Sequence, residues 1–459
     1  MTKTKVRDKA AQPRGQAAER QIGARFLELR KPAAPSAGFF WLTAFYVVYC
    51  ARPEDWIPGL SHIPLAKIAG VFALLALLTS LGRTQRKIRD LPMEARYLLA
   101  MTGVLFLSAV LSPVWRGGAL SNTLDFAKVS VLWLLTFLLV TDFAKLRRLL
   151  YIQSGSVAII CVVSIILGHG QGRLEGVIGG IYSNSNDLAF AVVLTLPLCL
   201  AFLLTAKGVL VRLCWTAAIL VMGLVLFMTA SRSGFISLVI SGIVCLWHFG
   251  VKGRRLYLIV ASVFVLTILL VVAGRPLADR LAAMNGTVDT PEENRAHGTY
   301  EERKYLIHKA IEGIERYPIL GMGVRNFETY SGIWKEVHMT YLQIAVEGGI
   351  PSLILYLLFL ASAFRNLRKL RRIPDLDAQT KLFVGGLHAS MVGFVIGALF
   401  EPMAYQFFSY FYVAYSTVLL AIIKEREAVP SAPAVNDRRS RYWMLRAGKR
   451  KSDDFTLVH

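Results

Sequence analysis

The stretch from Glu336 to Leu360 reads EVHMTYLQIAVEGGIPSLILYLLFL and passes from polar residues into a nearly continuous apolar run. An apolar run of about 20 residues is the length that an α-helix needs to cross the hydrocarbon core of a bilayer. His338 stands where the run begins, and Glu347 lies inside it. Ionisable side chains are costly in a membrane, so both residues need a physical reason to be there.

Apolar runs of similar length recur along the chain. Of its 459 residues, 55% are hydrophobic and only 18% are charged, and the charged residues are clustered. A soluble protein of this length would show amphipathic periods with many charged faces. The composition therefore predicts an all-α polytopic membrane protein. We expect about 12 transmembrane helices, near residues 36–51, 63–81, 97–112, 122–140, 149–167, 188–206, 210–228, 234–249, 256–273, 340–364, 382–400 and 403–423.

The positions of the lysines and arginines predict how these helices are oriented. They concentrate in both tails and in alternate short loops, which places both termini in the cytoplasm by the positive-inside rule. The basic end of the second tail either binds a lipid surface or remains solvated. The predicted regions are a disordered basic cytoplasmic tail (1–35), transmembrane helices 1–9 (36–273), a large outer loop (274–339), transmembrane helices 10–12 (340–423) and a second basic cytoplasmic tail (424–459).

The net charge of +22 and the five cysteines raise two further classes of function. The basic residues form no helix with interleaved aromatics and no RNA-binding motif, so we expect no nucleic-acid binding. The cysteines lie in or next to apolar runs without a C-x-x-C pair, and small packing residues are their expected role. The sequence therefore predicts neither a disulfide framework nor a metal site.

Polar residues that are costly in a membrane gather on the predicted outer side. Arg232 lies in the very short outer loop TASRSG, where the positive-inside rule disfavours a basic residue. It either snorkels to the interface or faces the interior of the bundle. A lone histidine such as His338 is by itself more often a hydrated interfacial side chain. Glu347 precedes two glycines, which predicts close helix packing there.

The outer loop carries a second helical pattern. Residues 300–317 predict an amphipathic helix that lies on the outer membrane face or over the mouth of the bundle. Its apolar face holds one charge, Arg303, which points into a cavity or snorkels. The motif GMGVRNF (321–327) follows, and its two glycines allow a tight turn and close backbone approach. The residues predicted to share the apolar face are Arg303, Ile307, Ala310, Ile314 and Tyr317.

Four motifs in this order resemble the O-antigen ligase and O-antigen polymerase family of bacterial inner-membrane proteins. The twelve-helix layout and the large outer loop before the histidine also resemble that family, and the similarity covers roughly 170–360. The motifs are RLEGVIGGIYSNSNDLA (173–189), TASRSGFISL (229–238), an arginine-led helix running into YPILGMGVRNF (303–327) and VHMTYLQIAVEGGIPSL (337–353).

The resemblance implies a metal-independent glycosyltransferase without a cofactor, located in the bacterial inner membrane as a multi-pass protein with a periplasmic active face. The outer loop is then a periplasmic loop. Such an enzyme transfers or polymerises glycan from an undecaprenyl-diphosphate carrier, for lipopolysaccharide or exopolysaccharide biosynthesis. The acceptor is a sugar of the lipid A core in a ligase and another carrier-linked glycan in a polymerase, and the sequence does not choose between them. Membrane lipids and polysaccharide assembly proteins are further candidate partners.

By motif, the family's functional arginines map onto Arg232 and Arg303, and its histidine maps onto His338. Arginines can stabilise the diphosphate that leaves, and a histidine can activate or merely orient the acceptor hydroxyl. The family's histidine is often followed by asparagine, whereas Met339 follows here. Further substrate-binding candidates are Arg173 and Arg325 for the diphosphate, and Asn184 and Asn186 for sugar hydroxyls.

Two other functions compete with this interpretation. A transporter or lipid-carrier flippase would place ionisable residues near the membrane midplane, often in broken helices within repeats. Here such residues gather at the outer ends, with Lys67, Lys128 and Glu347 as exceptions. A non-enzymatic scaffold for polysaccharide assembly would not need Arg232 and His338.

Overall fold

The computed structural model describes residues 37–80, 86–168, 173–176, 182, 184–275, 278 and 291–428, with the backbone alone for 80, 88, 291–300 and 428. The predicted tail 1–35 and residues 429–459 lie outside the described residues. Within the described ranges the fold is all-α and has thirteen helices of at least 15 residues. They are α1 (Ala37–Ala51), α2 (Leu65–Ser80), α3 (Met93–Val110), α4 (Arg116–Leu139), α5 (Phe143–Leu167), α6 (Ser185–Thr205), α7 (Val209–Met228), α8 (Arg232–Leu246), α9 (Tyr257–Ala273), α10 (Pro291–Arg316), α11 (Thr340–Arg371), α12 (Ala378–Gly397) and α13 (Phe407–Ala428).

A helix occupies each of the twelve segments predicted to cross the membrane. In the described part of the chain, nine of these helices are long and apolar enough to span a bilayer. The apolar helices α1, α2 and α9 are shorter, with 15, 16 and 17 residues. The polytopic helical class is therefore confirmed, while the total of twelve spans and their orientation stay predictions. Short helical turns also occur at Pro53–Trp56, Ile88–Asp90, Trp247–Val251 and Phe327–Tyr330.

Two helix boundaries differ from the prediction for local reasons. The predicted span 340–364 continues to Arg371, because its last turns carry basic residues that extend the helix past the apolar run. The predicted span 403–423 begins only at Phe407 and runs to Ala428. Residues 398–406, which hydropathy assigned largely to helices, form an irregular connection instead. Pro402 contributes no backbone N–H, so a helix is not favoured there.

The helix α13 lies at the centre of the bundle and is the most enclosed of the candidate spans. The aromatic residues Tyr412 and Tyr415 on α13 are fully buried. Gln153 of α5 donates a hydrogen bond to the Tyr412 hydroxyl at 3.2 Å and accepts one from the Tyr415 hydroxyl at 2.5 Å. A buried amide satisfied in this way fixes the relative position of the two helices.

The helix α11 is broken near its start, and the GMG turn of residues 321–323 fills the break. Gly349 adopts φ +75° inside α11. The carbonyls freed before the break accept hydrogen bonds from the backbone N–H groups of Met322 and Gly323, at 3.0 and 2.9 Å. A Cβ atom at Gly321 or Gly349 would overlap the opposing backbone. The close backbone approach predicted for these glycines is therefore present.

The predicted amphipathic helix exists as part of α10 and packs against the start of α11. Its side chains Leu306 and Ala310 are fully buried in a small apolar cluster, against which Ile314 and Tyr317 also pack. The prediction was wrong for Ile307, which is 41% exposed. The buried stripe faces α11 and the GMG turn, and Leu306 lies on that side of the helix while Ile307 points outward. The helix is therefore packed onto the bundle through this stripe.

Candidate functional site

A polar cavity of about 680 Å³ opens at the end of the bundle where α6, α8 and α11 begin. All seven residues singled out from the sequence line it, so residues up to 165 positions apart in the chain meet at one place. The remaining lining residues come from the first turns of α6, α8 and α11, from α10 and the segment after it, and from the irregular connection 398–406. The seven predicted residues are Arg173, Asn184, Asn186, Arg232, Arg303, Arg325 and His338.

Three helices direct their N-termini toward this cavity. The helix α6 begins after Asn184, whose side chain accepts a hydrogen bond from the backbone N–H of Asn186. The helix α8 begins after Ser231, whose side chain caps the N–H of Gly234. The helix α11 begins directly after the His338–Met339 segment. Each helix N-terminus carries a partial positive charge, so the backbone itself favours an anion in the cavity.

Arg173 is anchored to the cavity wall by two hydrogen bonds. Its Nε donates to the backbone carbonyl of Thr229 at 3.0 Å, and its Nη2 donates to the Asn186 side chain at 3.0 Å. Burial lowers the pKa of Arg173 from its usual value, although neighbouring carboxylates oppose this shift. Arg173 and Asn186 therefore form one rigid polar unit, and Asn186 is only in part available to a ligand.

Arg232 and Arg303 differ from the other basic residues of the cavity because no described carboxylate pairs with them. Arg232, the first residue of α8, makes neither an ion pair nor a side-chain hydrogen bond with any described residue. The Nε of Arg303 is buried and has no hydrogen-bond partner among the described residues. The two guanidinium groups are close enough for their charges to repel each other. Two unpaired cations in one cavity create a site that favours a multiply charged anion.

The basic residues at the rim of the cavity are already paired. Arg325 lies 3.6 Å from Glu336, and Lys335 lies 2.7 Å from Glu302, in both cases measured from side-chain nitrogen to carboxylate oxygen. Burial raises the pKa of Glu336 above its usual value, which the charge of Arg325 opposes. Arg325 and Lys335 are therefore less available to a ligand than Arg232 and Arg303.

His338 lies at the start of α11 with an unpaired imidazole ring. Its Nδ1 is buried and has no hydrogen-bond partner in the described part of the chain. Burial, together with the charge of Arg303, lowers the pKa of His338 to about 4, while Glu302 opposes the shift. The ring is therefore neutral at pH 7 and keeps a nitrogen lone pair that can accept a proton.

The structure adds a carboxylate that the sequence had not identified. Glu401 is buried beside the cavity, where its Oε1 accepts a hydrogen bond from Ser233 at 2.9 Å. Its backbone carbonyl accepts a hydrogen bond from Thr340 at 2.6 Å, which ties the connection 398–406 to the start of α11. Burial raises the pKa of Glu401 to about 7, so this carboxyl is partly protonated at neutral pH.

Further lining residues were also missed. Trp334 is 71% exposed at the cavity rim, and Gln406 donates a hydrogen bond to Asp187 at 3.5 Å across the cavity wall. The available sequence signal for Asp187 was its place in the SNSND motif. Trp334 and Gln406 carried no comparable signal, because their position depends on the tertiary fold.

Glu347 does not line the cavity and lies one layer below it. Its backbone carbonyl accepts hydrogen bonds from Gly323 and from Ser108. The buried hydroxyl of Tyr405, which does line the cavity, lies next to the buried Glu347 carboxyl and interacts with it. The glutamate is thus a buried polar residue beneath the site, and the close packing predicted around it is present.

Comparison with known proteins supports the resemblance read from the motifs. Residues 217–357 match the family model described as "O-Antigen ligase", which confirms the resemblance over that range. The matched range contains Arg232, Arg303, Arg325 and His338, and excludes the residues before 217. A search of curated proteins found no significant match. One solved structure with a similar chain is described as "Structural coordination of polymerization and crosslinking by a peptidoglycan synthase complex". The identity is 14%, the alignment covers 74% of this chain and 98% of that chain, and the TM-score is 0.40.

Proposed function

We propose that this chain, whose residues 217–357 match the O-antigen ligase family model, is a glycosyltransferase of the ligase or polymerase type. In this proposal it takes glycan from an undecaprenyl-diphosphate carrier at the periplasmic face of the bacterial inner membrane. The observation that carries the proposal is the presence of Arg232 and Arg303, which pair with no described carboxylate, in one cavity with a neutral His338. Transfer of a diphosphate-linked sugar needs cations that stabilise the leaving diphosphate and a group that accepts the proton of the acceptor hydroxyl.

The proposed step is a displacement at the anomeric carbon of the donor sugar. The acceptor hydroxyl oxygen forms the new bond to this carbon, and the bond from the carbon to the diphosphate oxygen breaks. The carrier diphosphate departs with the electron pair, and Arg232 and Arg303 stabilise its charge. The acceptor proton passes to the free ring nitrogen of His338. Arginine suits the first task because it stays charged and pairs bidentately with phosphate oxygens.

The low pKa of His338 shapes its expected role. A histidine with a pKa of about 4 is always in its accepting form at neutral pH but is a weak base. The donor diphosphate brings negative charge next to the ring, which favours the protonated form and strengthens the base when substrate is bound. The proton is therefore expected to move late, as the diphosphate departs, and His338 orients the acceptor hydroxyl before that.

The rest of the cavity suits a sugar. Trp334 offers an exposed aromatic face at the rim, and Asn184 and Asn186 offer amide groups in the lining of the same cavity. A flat apolar surface beside hydrogen-bonding groups is complementary to a pyranose ring, which has apolar C–H faces and polar edges. We expect these residues to bind the glycan, while the arginines bind the diphosphate.

The test is glycan transfer by the purified full chain, supplied with a lipid-diphosphate glycan donor. Arg232→Ala is expected to lower kcat about 10²–10³-fold, the usual cost of losing one stabiliser of a developing anion. His338→Ala is expected to lower it about 10²–10⁴-fold, because proton transfer and acceptor orientation are lost together. Both variants should reach the membrane in normal amounts.

Arg325→Ala is the matched control, since Arg325 is in the same cavity but is already paired with Glu336. Its effect should be much smaller than that of Arg232→Ala. Turnover at the wild-type rate in both Arg232→Ala and His338→Ala would rule out the proposed chemistry. Supplying a core-lipid acceptor, or the donor alone, separates a ligase from a polymerase. Movement of intact donor across vesicles without any glycosidic product would instead indicate a flippase.

A further inference from the structure

A second cavity, of about 330 Å³, lies at the opposite end of the bundle. The helix α8 begins with Arg232 at the polar cavity and continues into the turn that carries His248 at the second one. The helix α11 likewise runs from the His338 segment to Arg371. Helices rise about 1.5 Å per residue, so α8 alone separates the two cavities by roughly 24 Å. The second cavity is therefore distinct from the site described above.

The lining of this cavity is basic and holds no described carboxylate. Four cationic side chains converge on it from three chain segments, namely the turn after α8, the end of α11 and the start of α12. Lys381 donates one hydrogen bond to the backbone carbonyl of Pro374 at 3.3 Å, and the other three make no ion pair with any described residue. These four residues are Lys252, Arg255, Arg371 and Lys381.

The shape of the cavity depends on a widened turn at the end of α8. Trp247–Val251 form a π-helical turn, in which the N–H of Lys252 bonds to the carbonyl of Trp247 at 2.9 Å. The turn brings His248 to the cavity wall, where its Nε2 lies 3.0 Å from Nδ1 of His388 in a hydrogen bond. Single π-helical turns are frequent at functional sites. The turn therefore places a hydrogen-bonded imidazole pair beside the four cationic side chains.

The surroundings of the cavity are apolar and exposed. Trp247, Leu256 and Tyr257 belong to the same turn and to the segment that follows it, and each is more than half exposed. Exposed Trp and Tyr side chains are typical of the membrane–water interface, where lipid headgroups meet the hydrocarbon. A soluble anion would gain nothing from these side chains, whereas lipid acyl chains would pack against them.

We propose that the basic cavity binds the phosphate group of an anionic phospholipid headgroup, with the acyl chains against Trp247, Leu256 and Tyr257. Arg255 and Arg371 can pair bidentately with the phosphate oxygens, and Lys252 and Lys381 add point charges. Basic pockets between membrane helices are known to recognise such headgroups. The cavity volume lies within the range of about 300–1,000 Å³ that is usual for ligand sites.

The test measures the thermal unfolding midpoint of the detergent-purified, delipidated full chain. Dioleoylphosphatidylglycerol, dioleoylphosphatidylcholine and inorganic phosphate are titrated separately. Phosphatidylglycerol is expected to raise the midpoint saturably, and phosphatidylcholine is expected to have little effect. The double variant Arg255→Gln/Arg371→Gln should raise the half-saturating concentration of phosphatidylglycerol at least about tenfold, which corresponds to 1.4 kcal/mol of binding free energy.

The chain offers a matched control in the double variant Arg254→Gln/Arg372→Gln. It removes the same charge from the neighbouring positions, which do not line the cavity, and should change the half-saturating concentration less than about twofold. The proposal would be overturned if both double variants raised the half-saturating concentration equally, or if phosphatidylglycerol had no saturable effect on the midpoint of the wild type. Inorganic phosphate alone could also raise the midpoint of the wild type and lose potency in Arg255→Gln/Arg371→Gln. That result would show that the site binds free phosphate and not a lipid headgroup. Should Arg255→Gln/Arg371→Gln fail to fold, Lys252→Gln/Lys381→Gln decides by the same criteria.

Discussion

At the scale of single residues, partners decide which cations of the polar cavity can bind substrate. Arg325 and Lys335 have carboxylate partners, and Arg173 is fixed by hydrogen bonds to Thr229 and Asn186. Arg232 and Arg303 have no carboxylate partner within the part of the chain that the structure describes, and the buried Nε of Arg303 has no hydrogen-bond partner there. A ligand anion therefore gains most at the last two residues, because it displaces no existing pair there.

Glu401 should make stability depend on pH in a defined direction. Burial raises its folded-state pKa to about 7, above the value in the unfolded chain. Its stabilising contribution is therefore complete at low pH and is lost as the pH rises through 7, with a slope of at most about 1.4 kcal/mol per pH unit. Glu401→Gln keeps an acceptor for Ser233 but cannot ionise. We predict that its thermal midpoint, relative to wild type, increases between pH 6 and pH 8.

The control for this prediction is Glu315→Gln, which removes a carboxylate from an exposed position on α10. It should leave the pH dependence of the midpoint unchanged. If the difference in thermal midpoint between Glu401→Gln and wild type stays constant from pH 6 to pH 8, the Glu401 carboxyl is not held in a desolvated state.

At the scale of elements, the break in α11 determines where the loop residues of the cavity lie. Gly349 frees two carbonyl groups, and the GMG turn binds to them with its own backbone. This fixes the segment from Arg325 to His338 relative to α11, and it also fixes α10, which packs on the same cluster. The position of Arg303 over the cavity is therefore a consequence of a helix break three turns below His338.

Gly349→Ala is predicted to damage both stability and transfer. A left-handed φ costs a non-glycine residue about 1 kcal/mol, and here a Cβ atom would also overlap the backbone of Ile319. Gly332→Ala has the same kind of φ, +76°, but its Cβ would meet nothing within 4 Å. The thermal midpoint should fall clearly more for Gly349→Ala, and its transfer rate should fall with it. Equal effects of the two substitutions would show that the interlocked backbones do not position the site.

At the scale of the whole molecule, the orientation of the bundle remains a prediction that labelling can test. The basic loops predict that Trp334 and Asp375, both exposed, lie on opposite sides of the membrane. In a background with the exposed Cys214 replaced by serine, Trp334→Cys should react with a membrane-impermeant maleimide in intact spheroplasts. Asp375→Cys should react only after permeabilisation. The reverse pattern would place the polar cavity in the cytoplasm.

The sequence predicted those lining residues of the polar cavity that are unusual for their position in a membrane protein. Arg232 opposed the positive-inside rule and His338 stood at the start of an apolar run, and both line the cavity. Glu401 broke no such rule, because it falls between two apolar runs, where a charged residue is ordinary. Its burial beside Ser233 depends on contacts between residues 168 positions apart. Ile307 was misassigned because helical spacing alone cannot tell which of two adjacent stripes meets α11.

The central position of α13 has a consequence for how the protein is made. This helix follows the other twelve in the chain, yet its tyrosines satisfy the buried amide of Gln153 on α5. Ribosomes deliver helices to the membrane in order, so α5 enters the bilayer long before its partners exist. Until then the amide needs water, a lipid headgroup or an insertion chaperone at its side. The hydrogen bonds around Gln153 are therefore completed only when α13 arrives.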